Sequence, residues 1–60
     1  MEEQAIIEYV KEKSKYFNMK AICEFAGVNY STFRGWKNAD RSLSFEKINA
    51  IYIAMHEVVK

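Results

Sequence analysis

The chain has 60 residues, half of them hydrophobic and nine aromatic, with a formal net charge of only +1. That length leaves room for a single domain over residues 1–60 with one small core, since a chain of this size buries only about 60% of the surface its unfolded form exposes. Two glycines, no proline and one cysteine exclude an internal disulfide and disfavour a multi-stranded fold, which leaves helices joined by short turns in a reducing compartment.

The chain opens on Met1-Glu2-Glu3, acidic where a secretory signal would be basic, and no apolar run reaches membrane-spanning length. The expected location is therefore the cytoplasm, with no membrane partner. The first helix is predicted at about residues 2–16, with Ile6, Ile7, Val10 and Phe17 near one face. Its other face carries mixed charges, Glu8 with Lys11 and Glu12 with Lys15, which read as a solvated surface contributing tenths of a kcal/mol.

Beyond it, one local pattern occurs three times: an apolar residue, a polar cap, and a second apolar residue four places after the cap. The instances are Phe17-Asn18 with Ile22, Val28-Asn29 with Phe33, and Leu43-Ser44 with Ile48. Each reads as a helix start. The Asn or Ser oxygen accepts from an otherwise unpaired backbone N–H, worth about 1 kcal/mol, and the apolar pair staples the entering chain to the first turn. These starts place a second helix at residues 19–26, a third at 30–38 and, after Ala39-Asp40-Arg41-Ser42-Leu43, a fourth at 45–59 with Ile48, Ile51, Tyr52, Met55 and Val58 or Val59 along its stripe. Helices of eight or nine residues are marginal alone, so the middle pair must be held by packing.

That middle pair meets at Gly27, where a left-handed backbone lets the chain turn sharply. Cys23 faces the close approach of the two helices, where a small side chain is needed; Val28 plugs the turn, and Phe33 and Trp36 pin the third helix to the core. The pattern is that of a helix-turn-helix, whose second helix commonly enters the DNA major groove. Charge supports this modestly. Residues 1–17 balance to −1, whereas residues 29–47, with Arg34, Lys37, Arg41 and Lys47 against Asp40 and Glu46, balance to +2.

The ordered set Cys23, Gly27-Val28-Asn29, Ser31-Thr32-Phe33, Trp36 and Leu43-Ser44-Phe45-Glu46-Lys47-Ile48 resembles the helix-turn-helix of the lambda-repressor-like family, the phage Cro and repressor proteins and their bacterial relatives. The usual family wording is a small residue, Gly-Val-Ser, Ser-Thr-Ile, a Trp and a Pro-Ser-x-x-x-Leu helix start. The likeness covers about residues 18–55. It implies an all-α, four-helix lambda-repressor-like bundle, or five helices where the long last helix of this chain stands in for two. It further implies double-stranded DNA as partner and a bacterial or phage-infected host cell. The surplus of apolar residues in so small a domain points to a homodimer, and sixty residues leave no room for a ligand-sensing domain, so no cofactor or small-molecule ligand is expected.

Carried over by position, the resemblance puts Tyr30 and Ser31 at base edges, and Lys37 and Asn38 near phosphate. Two slots depart from it: Gly35 stands where a long base-reading side chain is usual, and Met19 where a phosphate-binding glutamine is common. Readout then shifts to Tyr30, Ser31, Thr32 and Arg34, with Lys20 supplying the missing phosphate contact. Arg34 can fork onto a guanine edge or remain a solvated surface arginine, whereas Lys37, Asn38 and Arg41 suit phosphate. Tyr30 can reach DNA or fold back on Val28, and Lys47 is open between phosphate and solvent. Trp36, continuing the Val28–Phe33 line, reads as core.

Cys23 and His56 are the soft or nucleophilic candidates, but no CxxC or HxxxH spacing exists and Cys23 belongs to the packing face, so neither a metal site nor an enzyme is expected. His56 is expected exposed or at a dimer contact near a helix C-terminus. The functional expectation is a sequence-specific transcriptional regulator of Cro or repressor type, with Tyr52, Ile53, Val58 and Val59 either forming the dimer contact or finishing the four-helix core. The alternatives are a protein-interaction adaptor or anti-regulator on the same scaffold, and an excisionase-like protein that bends DNA.

Overall fold

The computed structural model describes residues 2–58. Four α-helices follow one another, α1 (Glu3–Lys13), α2 (Met19–Ala26), α3 (Tyr30–Lys37) and α4 (Phe45–Val58), with a 3-10 turn at Ser14–Tyr16 and no strand among the described residues. The chain is a small all-α bundle.

The three polar caps form as their spacing requires. Asn18 Oδ1 accepts from the Ala21 N–H at 3.3 Å, Asn29 Oδ1 from the Thr32 N–H at 3.2 Å, and Ser44 Oγ from the Lys47 N–H at 3.4 Å. Of the apolar residues flanking them, Ile22, Val28, Phe33 and Ile48 are buried, while Phe17 and Leu43 pack against the core from its edge. A cap thus fixes where each helix begins, and its neighbours fix which side turns inward.

The first helix is shorter than the apolar spacing predicts. Regular α-helix stops at Lys13 and the chain tightens into the 3-10 turn at Ser14–Tyr16. Ser14 explains this. It is buried, and its hydroxyl donates back to the Lys11 carbonyl at 3.0 Å, a local bond that competes with helix continuation. At the other ends, α3 closes at Lys37 with Asn38 as its cap, and α4 runs to Val58; the side chains of Val58 and Val59, expected on its stripe, lie outside the described residues.

α4 forms the spine, packing along both α1 and α2, while α3 attaches chiefly to α2. The core comprises Ile6 and Val10 from α1, Met19, Ile22 and Cys23 from α2, Val28 from the turn, Phe33 from α3, and Ile48, Ile51, Ala54 and Met55 from α4. Two residues depart from expectation. Met19 is core rather than a surface slot, and Trp36 is only half-buried. Its ring lies 5.9 Å from that of Phe33, and the Lys11 ammonium caps it 4.9 Å from the ring centroid. Lys11 therefore turns to Trp36, Glu8 accepts from the Gln4 amide at 3.1 Å, and of the expected charge pairs Lys15 with Glu12 forms, at 3.2 Å.

At the α1–α4 seam, Tyr9, Tyr52 and His56 form an aromatic cluster, with Tyr9 edge-on to Tyr52 at 5.2 Å and His56 packed 4.4 Å from Tyr52 and 5.3 Å from Tyr9. His56 Nδ1 lies 3.0 Å from the Tyr52 carbonyl oxygen. A carbonyl can only accept, so Nδ1 carries the proton. Tyr52, half-buried here, serves the chain's own packing, whereas Ile53 on the same helix is 52% exposed. No helix among the described residues is long and apolar enough to cross a membrane.

Candidate nucleic-acid interface

The corner is built by two backbone bonds and one torsion. Gly27 takes φ 77°, ψ 27°, its N–H bonding the Glu24 carbonyl at 3.2 Å while the Val28 N–H bonds the Cys23 carbonyl at 2.8 Å. This double bond pattern satisfies carbonyls that a helix end would otherwise leave unpaired. A Cβ built on Gly27 would meet nothing within 4 Å, so glycine is needed for its torsion and not for space. Cys23, with no exposed surface, sits where α2 meets the core, and burial pushes its thiol up to about 11. It is a protonated packing residue at neutral pH. His56 is exposed and committed to the Tyr52 carbonyl.

With Phe33 anchored inward, the 100° step of the helix points Ser31, Gly35 and Asn38 the opposite way and leaves Arg34 about 100° round, on the flank that Tyr30 shares. Ser31, Arg34, Lys37 and Asn38 are all exposed. Tyr30 packs on Phe33, rings 6.4 Å apart and 24° from parallel, and the Arg34 guanidinium lies 5.9 Å from the centroid of the Tyr30 ring. A ring held this way places Arg34 along the N-terminal half of the helix with less rotamer freedom to lose on binding. Thr32 is half-buried on the flank, its N–H taken by Asn29. Lys20 is exposed in the first turn of α2, bordering a shallow, open depression lined by Asn18, Ala21 and Glu24.

The segment after α3 folds back onto it. Ala39 adopts φ 66°, the only left-handed non-glycine residue among those described. This reversal lets the Asp40 and Arg41 N–H groups both reach the Gly35 carbonyl, at 2.7 and 3.2 Å. Arg41 is thereby drawn against Gly35. A Cβ on Gly35 would lie 2.8 Å from Arg41 Cδ and 2.9 Å from Cγ, closer than real atoms approach. Nothing in the sequence around Ala39 signals this reversal, because the residue is not glycine. A glycine inside a helix was the available sign that another group approaches closely.

The structure thus brings Tyr30, Ser31, Arg34, Lys37, Asn38 and Arg41 onto or beside one helix face, with Thr32 on its flank and Lys20 on the neighbouring helix. No acidic residue occurs between Glu24 and Asp40, so the charges on α3 itself are positive, with the exposed Asp40 following beside Arg41. No group of His, Cys, Asp and Glu among the described residues could hold a metal ion. Compared with protein-family models, with curated proteins and with solved structures, the chain matches none.

Proposed function

We propose that the protein is a sequence-specific, double-stranded-DNA-binding transcriptional regulator of the Cro or repressor type, with α3 and Asn38 entering the major groove. The observation that carries this reading is the exposed surface of α3: Ser31 and Asn38 stand clear opposite the buried Phe33, Arg34 is exposed on the adjoining flank, Arg41 lies beside them and no carboxylate is on the helix. An α-helix fits the width of the major groove, and an arginine fork on a guanine edge discriminates by about 1–3 kcal/mol. Lys37, Asn38 and Lys20 suit phosphate, which positions the helix without reading sequence.

One short helix reads few base pairs, so useful affinity calls for a two-fold dimer with its reading helices about 34 Å apart. Ile53, on the outer side of α4, is the described residue best suited to that contact. With three or four phosphate contacts per subunit, the logarithm of the binding constant should fall with the logarithm of salt at a slope of about −5 to −7. Selection of bound sites from random duplex tests the reading. The expected result is an enriched, two-fold symmetric motif; failure to retain any duplex at low salt overturns it. That failure would favour the second reading, a protein-interaction module, for which the observation is Phe25, 68% exposed on α2 beside the corner.

A further inference from the structure

We propose that Arg41, although it lies outside α3, is a base-reading residue, its stem seated in the notch left by Gly35 and its guanidinium directed to a guanine edge. This rests on the DNA-binding reading and deepens it.

The placement follows from three observations. Gly35 belongs to the outward face, one turn from Ser31 and opposite Phe33, yet it is half-buried while Ser31, Arg34 and Asn38 around it are exposed. The covering group is Arg41, whose Cβ, Cγ and Cδ would stand 3.3, 2.9 and 2.8 Å from a Cβ at that position. The backbone holds Arg41 there: two N–H groups converge on the Gly35 carbonyl, and the Ala39 N–H bonds the Trp36 carbonyl at 3.0 Å. A surface arginine whose first three carbons are seated carries its charged group outward from the middle of the helix face.

The arrangement also divides the helix between two guanidinium groups. Arg34 is held over Tyr30 toward the N-terminal half. Gly35, having no side chain, contributes nothing to readout by itself, and Arg41 fills that gap. A planar fork matches the O6 and N7 acceptors of guanine, whereas a lysine in its place could supply charge without that match. A phosphate contact carries no sequence information, so weakening it would lower affinity for selected and random duplex alike.

The test compares wild type, Arg41→Lys, Gly35→Ala and the double variant on the duplex that wild type selects, on single-base-pair substitutions of it, and on random duplex. The expected result is that Arg41→Lys weakens binding to the selected duplex about tenfold or more, changes random-duplex affinity less than twofold, and erases preference at one G·C pair. Gly35→Ala, which displaces Arg41 without removing it, should erase preference at the same pair while the melting temperature stays level or rises. The double variant should be no worse than the weaker single. Equal weakening on selected and random duplex, or full base preference in Arg41→Lys, would overturn the assignment of Arg41 and leave the DNA-binding reading standing. If wild type selects no duplex, both fall together.

Discussion

The two glycines of this chain stand eight residues apart and do opposite things. Gly27 occupies open space, with nothing near a hypothetical Cβ, and is fixed by a torsion of +77°. Gly35 has an ordinary helical torsion and is fixed by crowding, with the Arg41 stem where a Cβ would go. The first decides whether α2 and α3 meet at a corner. The second decides what the outer face of α3 presents. A glycine can therefore answer a torsion or a crowded volume, and what surrounds it separates the two.

If the corner is architectural, damage there should cost stability first. The largest effect is expected from Phe33→Ala, about 3–5 kcal/mol, because Phe33 is the fully buried residue by which α3 joins the core. Chemical denaturation should show a markedly lower midpoint; a loss under 1 kcal/mol would mean that α3 is held mainly by something else. Cys23 gives the next effect, through pH. Burial raises its thiol from the ordinary 9.0 to about 11, so the folded state favours the protonated form. Its contribution is complete below pH 9 and is lost as pH rises from 9 through 11, on the order of 2 kcal/mol by pH 11. Denaturation curves of wild type and Cys23→Ala across that window isolate the thiol from the tyrosines and lysines, and parallel curves would show that the thiol titrates normally. Gly27→Ala follows, at about 1–2 kcal/mol destabilising, the cost of a Cβ in a left-handed torsion.

The corner was legible in the sequence because its signals are local: three caps with their staples, a glycine at a helix end, a small residue four places earlier. Each depends on a few neighbouring residues, so the helix starts were placed correctly. What escaped depends on distant partners or on a single side-chain bond. Trp36 belongs to the same apolar line as Phe33, but Lys11 caps it from another helix. In the sequence Tyr52 is open between the core stripe and a dimer contact, and its packing against Tyr9 and His56, from another helix and the next turn, decides for the chain's own packing. Ser14 looked like one more polar residue in a helix, and its bond to Lys11 ends that helix. At the candidate site, the outward direction of Ser31 and Asn38 followed from helical phase; Arg34 and Thr32 lie equally far round from Phe33, yet of the two Arg34 is exposed, and Lys37 is exposed on the Phe33 side at the helix end. The seating of Arg41 required a backbone reversal at an alanine.

That alanine supplies the next test, on the notch side of the comparison. Ala39→Gly relieves a left-handed torsion and should stabilise the fold by about 1 kcal/mol, partly offset by the freedom glycine gains when unfolded. Its thermal midpoint should rise; a fall would mean that the reversal is not strained in the native state.

The smallest effect is the most discriminating. Gly35→Ala gains about 1 kcal/mol of helix propensity and must push aside Arg41, an exposed side chain that can rotate away at modest cost. The net should be a stabilisation of about 0.5 kcal/mol, opposite in sign to Gly27→Ala. The same substitution made at two glycines in one small domain then reports two different physical demands, a forbidden torsion at one and an occupied volume at the other. Were Gly35→Ala to destabilise as much as Gly27→Ala, the Arg41 stem would be a structural element of the fold, and the separation between a corner that holds the helices and a notch that shapes their outer face would collapse.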